Sequence, residues 1–146
     1  TSGTSIDFTG IPSWVKRVTV MFNGVSTNGS SNYQIQIGSG SVTTTGYLSV
    51  SSVNAVSSVG STAFTTGFGI QNGATATTTV NQGAVTIYLL SSNVYVANGL
   101  VSNSDVARTV NTAGSITLSG TLDRVRITTV NGTDTFDAGS VNILYE

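Results

Sequence analysis

Cysteine and histidine are both missing from this chain of 146 residues. Without cysteine there is no disulfide framework and no thiolate metal site, and the redox compartment leaves no mark. Without histidine the commonest general base and the commonest metal ligand are gone. A Ser–His–Asp triad and a cysteine nucleophile are therefore both excluded. Charge is scarce as well. Five Lys and Arg and six Asp and Glu make up 8% of the residues, where a quarter is usual. The five cations form no run, so the electrostatic footprint of a nucleic-acid binder is absent. No apolar stretch is long enough for a membrane-spanning helix. The opening Thr1-Ser2-Gly3-Thr4-Ser5 has neither the charged nor the apolar region of a signal peptide, and no initiator Met. It reads as the start of a piece cut or processed from a longer chain.

Low charge does not mean disorder here. Disorder couples low hydrophobicity to high net charge, whereas this chain has a formal net charge of −1 and 38% hydrophobic residues. Its polarity lies in Ser, Thr, Asn and Gly, which suit extended surfaces, tight turns and wet contacts. The length fits one domain able to bury its own core.

Helix signals are nearly absent, and period-two alternation recurs. Val18, Val20 and Phe22 share a face against Arg17, Thr19 and Met21. Tyr33, Ile35 and Ile37 alternate with Gln34 and Gln36, the pattern of a half-buried strand. Val85, Ile87 and Leu89 oppose Thr86, Tyr88 and Leu90, apolar on both sides, which predicts a central or covered strand. Val94 and Val96 alternate with Tyr95 and Ala97, Val125 and Ile127 with Arg124 and Arg126, and Val141, Ile143 and Tyr145 close the chain. Five Asn-Gly pairs, at 23–24, 28–29, 72–73, 98–99 and 131–132, are candidate turns. Ser91-Ser92-Asn93 reads as a hairpin connection. The stretches Thr75 to Gln82 and Ser102 to Ser115, rich in Thr, Asn, Ser and Ala, read as long loops or frayed edges. No fixed internal period points to a solenoid. The expectation is a single all-β domain over residues 1–146: an antiparallel β-sandwich, jelly-roll-like, of about ten strands.

Two segments carry a resemblance. One runs from Ile6 to Phe22, IDFTGIPSWVKRVTVMF. The other opens with Leu122-Asp123-Arg124-Val125-Arg126-Ile127-Thr128-Thr129, continues through Gly132 to Ile143, and ends in Leu144-Tyr145-Glu146. Together they resemble the opening and closing segments of a C-terminal domain of tail fibres and related virion proteins of tailed bacteriophages. They cover about a third of the chain, and the middle, roughly Ser39 to Ser115, matches nothing. The resemblance implies the C-terminal part of a longer virion protein. It would be made in the bacterial host and displayed extracellularly on the tail, often as a homotrimer that contacts host-surface polysaccharide. It supplies no binding residue.

Candidate site residues therefore come from chemistry alone. Trp14, the only tryptophan, can stack on a sugar ring or pack against a strand or neighbouring subunit. Tyr47, at the margin of the unmatched middle, is a candidate ligand contact, whereas Tyr88 and Tyr95 read as a cross-strand packing pair. Arg124 and Arg126 share a strand face, with Asp123 on the other. They fit an acidic sugar, and equally a gatekeeping or intersubunit role. Asp134 and Asp137 are weak calcium candidates, with local hydrogen bonding in an Asx-turn as the plainer reading. For a glycosidase, Asp123 and Asp137 would be the carboxylates to watch. No cofactor and no catalytic residue is expected. The chain reads as one that binds or assembles. The alternatives are a purely structural trimerisation or tip module, a carbohydrate-binding module of a secreted enzyme, and a hydrolytic tailspike domain.

Overall fold

The computed structural model describes residues 2–56, 58–71, 79–105 and 107–146, with only the backbone of Ser58. Among them are twelve strands: β1 (Ser5–Thr9), β2 (Arg17–Thr27), β3 (Tyr33–Ser39), β4 (Ser41–Val42), β5 (Leu48–Ala55), β6 (Ser58–Phe64), β7 (Phe68–Ile70), β8 (Asn81–Ser91), β9 (Val94–Asn103), β10 (Arg108–Thr117), β11 (Arg124–Thr129) and β12 (Phe136–Tyr145). They form two antiparallel sheets, the expected β-sandwich. The smaller runs β1-β11-β3, with β4 and β7 both on the far edge of β3. The larger runs β12-β2-β8-β9-β10-β5-β6.

The alternating side chains meet between the sheets. Val20, Val25 and Val85 from the larger sheet and Ile35, Ile37, Val125 and Ile127 from the smaller are fully buried in one continuous core. Each such side chain is worth about 1.5–3 kcal/mol on leaving water. Strand β8 is central, as its two apolar faces predict, lying between β2 and β9. The Ser92-Asn93 turn joins β8 to β9, with Ser92 at φ 47°.

Several expectations are corrected. Ser102 to Ser115 is not a loop, since it holds the end of β9 and most of β10. Within it Val110 and Thr112 point inward and are buried, while Thr109, Asn111 and Ala113 take the exposed face. Asn98-Gly99 lies inside β9, where Gly99 lets the backbone of β8 approach. Asn23-Gly24 lies in a bulge of β2 instead of a turn. There Gly24 has φ +67° and Gly139 of β12 has φ +75°, and a Cβ on Gly139 would stand 2.2 Å from the Gly24 carbonyl oxygen. The bulge thus needs glycine on both strands. Tyr88 does not face Tyr95, because the register sets Tyr88 against Val96 and Leu89 against Tyr95. Tyr95 is consequently buried and Tyr88 exposed. Strand β3 is buried on both faces, not half-buried. The Asn72-Gly73 pair, and Thr75 to Thr78 of the predicted loop, lie outside the described residues.

Hydroxyls close one corner of the sandwich. Strand β7 pairs with β3 on one side only. On its other side the Gly69 and Gln71 amides donate to Ser49 Oγ (3.2 Å) and Ser51 Oγ (3.1 Å) of β5, and Thr112 Oγ1 of β10 donates to the Gly69 carbonyl at 2.6 Å. Side chains of the larger sheet thereby satisfy the backbone edge of the smaller. Ser49→Ala should leave a buried amide unpaired and cost about 1–3 kcal/mol in denaturant unfolding. The same change at the exposed Ser61 should cost less than about 0.5 kcal/mol.

Candidate functional site

The outer faces of the two sheets differ sharply. On the smaller sheet, cross-strand register builds two polar ranks. One runs Asp7–Arg126–Gln36, the other Ser5–Thr128–Gln34. The loop after β6 closes over one side of them, because Gly67 has no side chain. A Cβ there would meet Gln34 Oε1 at 2.9 Å and the Ile35 carbonyl at 3.1 Å. The result is a hollow of about 330 Å³, lined chiefly by Ser5, Gln34, Gln36, Thr66, Arg126 and Thr128.

The floor is fixed by hydrogen bonds. Thr66 Oγ1 donates to Gln34 Oε1 at 2.7 Å, and Gln36 Nε2 donates to the Thr66 carbonyl at 2.8 Å. Thr128 Oγ1 donates to the Thr4 carbonyl at 2.9 Å. This explains the burial of both glutamines, which the loop turns from surface residues into a floor. Arg126 donates Nε and Nη2 to the two oxygens of Asp7, at 2.7 and 3.1 Å. That fork holds the Asp7 carboxyl below its ordinary 3.8, with help from Ser5 and against its partial burial. Arg124 makes the equivalent fork to Asp123, at 2.7 and 3.2 Å. It lowers the Asp123 pKa and is itself raised by that carboxylate. Asp123 therefore lies beside Arg124 and not on the opposite face. It precedes the strand, its amide donating to the Gly38 carbonyl.

The outer face of the larger sheet carries exposed aliphatic side chains and is uncharged across β8, β9, β10, β5 and β6. Leu48, Val50, Val59, Leu90 and Leu100 are each more than half exposed, with Met21 and Tyr88 partly so. Between them stand Thr86, Asn98, Asn111, Ala113 and Ser52. No outward position of β5, β6, β8, β9 or β10 carries a charge. At the margin Arg17 forms a salt bridge with Glu146.

Of the four candidate ligand residues, only Arg126 lines the hollow, and Arg124 lies one rank away on the same face. Trp14 sits elsewhere and is 61% exposed, its ring centroid 6.1 Å from that of Tyr145. Buried Ile11 and Val15 anchor the turn on either side and lift the indole outward. Tyr47 is a core residue, 1% exposed, and so not a ligand contact. Its ring packs edge-on against Phe68 at 5.1 Å. Its hydroxyl accepts from the Ile37 amide at 2.8 Å and lies 3.2 and 3.1 Å from the Ile37 and Thr43 carbonyls. Burial pushes that phenol up to about 12.

The weak calcium candidates serve separate local bonds. Asp134 accepts from the Ser31 amide and Asn131 Nδ2, and Asp137 from Ser26 Oγ. The Asx-turn in this loop belongs to Asn131, whose Oδ1 accepts from the Thr133 amide. Asp123 and Asp137 share no partner. Among the described residues no cluster of three or more Asp, Glu, His or Cys converges on a metal position. Sequence reasoning missed Gln34, Gln36, Thr66 and Thr128. The alternation of Gln34 and Gln36 with Tyr33, Ile35 and Ile37 was the available signal, but only the strand partner and the covering loop reveal a hollow. Compared with known proteins, the chain matches no family model, no curated protein and no solved structure.

Two pH dependences follow. The lowered Asp7 pKa stabilises the fold fully above the unfolded value near 3.8, and this contribution is lost as pH falls through the folded value. Asp7→Asn should therefore cost no more than about 1 kcal/mol at neutral pH, since the pair is partly solvated, and should flatten the acid limb of the stability curve. For Tyr47 the folded phenol keeps its proton between 10 and about 12 while the unfolded one loses it. Stability should fall across that window by about 1.4 kcal/mol per pH unit. Tyr47→Phe should remove that slope while costing about 1–3 kcal/mol at neutral pH, both read by denaturant titration.

Proposed function

We infer that this chain is a tail-fibre-like C-terminal domain of a tailed-bacteriophage virion. It assembles as a homotrimer and contacts a host-surface glycan, without catalysis of its own. The observation that carries the reading is the uncharged outer face of β8, β9, β10, β5 and β6, where exposed aliphatic side chains alternate with neutral polar ones. Exposed aliphatic side chains gathered on one uncharged face favour contact with another molecule. At ~4.8 Å between strands and ~3.4 Å per residue, five strands of about nine residues present roughly 700 Å². That is about the area one partner contributes to a stable interface. A second copy of this face matches it in size and in lack of charge. Three such faces turned toward a common axis form a closed cyclic assembly. The segments at 6–22 and 122–146 supply the link to virion proteins. The exposed Trp14 beside Tyr145 offers a further contact at the sandwich end.

Light scattering on the eluting chain should give a trimer's mass at micromolar concentration. Leu100→Asp and Val50→Asp, which place a carboxylate on the face without touching the core, should each shift it to monomer. A monomeric wild type at high concentration would overturn the assembly. An array of bacterial surface polysaccharides should show binding by the trimer. A blank array with an intact trimer would instead establish a structural tip module, and release of saccharide fragments would establish a hydrolase.

A further inference from the structure

We propose that the hollow on the outer face of the smaller sheet is a binding site for a neutral saccharide unit. This deepens the glycan-recognition reading and rests on it. The argument begins with charge. Among the described residues Arg126 is the only cation lining the hollow, and its fork to Asp7 neutralises it. An anionic ligand would have to displace a carboxylate already held in bidentate geometry, so phosphate and acidic sugars are disfavoured. The arginine Nη1 group lies outside that fork and remains a donor.

The second step is the supply of acceptors. The hydroxyls of Ser5, Thr66 and Thr128 each spend their one proton on a protein acceptor: Asp7 Oδ2, Gln34 Oε1 and the Thr4 carbonyl. Each therefore offers lone pairs and no proton to a ligand. The floor thus alternates fixed acceptors with the arginine donor. A sugar hydroxyl both gives and takes a proton and suits that alternation, whereas an apolar ligand would leave these groups unpaired. Preorganisation is the third step. Thr66 binds both glutamine side chains, and Gly67 seats its loop directly on Gln34, so the floor needs little ordering on binding. At about 330 Å³ the hollow is at the small end of ligand sites, which fits one or two sugar rings and not a long chain.

The test uses the whole nitrogen-labelled chain and nuclear magnetic resonance. Probes are glucose, galactose, mannose, rhamnose and N-acetylglucosamine, with sialic acid and inorganic phosphate as charged controls. At least one neutral sugar should shift the side-chain amides of Gln34 and Gln36 and the Arg126 Nε–H saturably. Thr128→Val and Gln36→Leu should each weaken that sugar about tenfold. The wild-type map alone decides the location should either variant fold poorly. A sugar that moves the Trp14 indole and leaves both glutamines unmoved would overturn the hollow while sparing glycan recognition. Shifts with only sialic acid or phosphate would overturn the neutral class. No response to any sugar, together with a blank polysaccharide array, would overturn both.

Discussion

Neutral side chains do the work that ion pairs and disulfides do elsewhere, and the structure depends on that substitution. A sandwich must satisfy backbone groups wherever strand pairing stops, because an unpaired buried amide costs as much as a lost hydrogen bond. Here the unpaired edge of β7 is met by Ser49, Ser51 and Thr112 from the facing sheet. The free edge of β3 near Ile37 is met by the Tyr47 hydroxyl and by Thr43. At the open end of the β8–β9 pair, buried Asn103 donates to buried Asn81, which donates to the Val25 carbonyl. Each bond is uncharged, so none carries the desolvation penalty of a buried ion. Serine and threonine are thus as much a part of the interior as valine.

The same economy of charge divides the exterior. Of the three ion pairs among the described residues, the smaller sheet holds two, Arg124–Asp123 and Arg126–Asp7, both on one face. The larger sheet presents an outer face of aliphatic side chains spaced by threonine, asparagine and alanine. One face suits hydrated, hydroxyl-rich partners, the other exclusion of water against a like surface. A two-layer sandwich allows this because its outer faces are separated by a core and can be composed independently.

How far the sequence is legible depends on where a residue's environment is set. Strands β2, β8 and β11 were readable because Val18, Val20, Val85, Ile87, Val125 and Ile127 alternate locally with polar or smaller residues. Strand β10 was hidden because its inward residues include Thr112 and Gly114 and its outward ones Asn111 and Thr109, a composition shared with loops. What makes it a strand is pairing with β9 and β5, both distant choices in the chain. Asn98-Gly99 gave a false turn for the same reason, since packing against Ala84 and Val85 overrode local propensity. The arginine face was legible as a face. Its pairing with Asp7, 119 residues earlier, was not. The burial of Tyr47 is not legible, because a tyrosine at the edge of an unmatched segment looks the same in sequence whether its ring is inside or out.

The proposed weak, neutral site and the proposed assembly face belong together energetically. Net gain from each uncharged hydrogen bond in water is only about 0.5–1.5 kcal/mol, so a small hollow lined by hydroxyls and amides cannot hold one sugar tightly. The proposed trimer would change the arithmetic without adding a contact, because a second and third site held on one rigid body would meet a repeating polysaccharide as intramolecular events. Selectivity in that proposal would come from the fixed pattern of acceptors around Arg126, since a sugar with a misplaced hydroxyl would leave partners unpaired at every site at once. On the proposed reading, the exposed aliphatic residues on one sheet would set valency, and valency would make the charge-neutral hollow on the other sufficient.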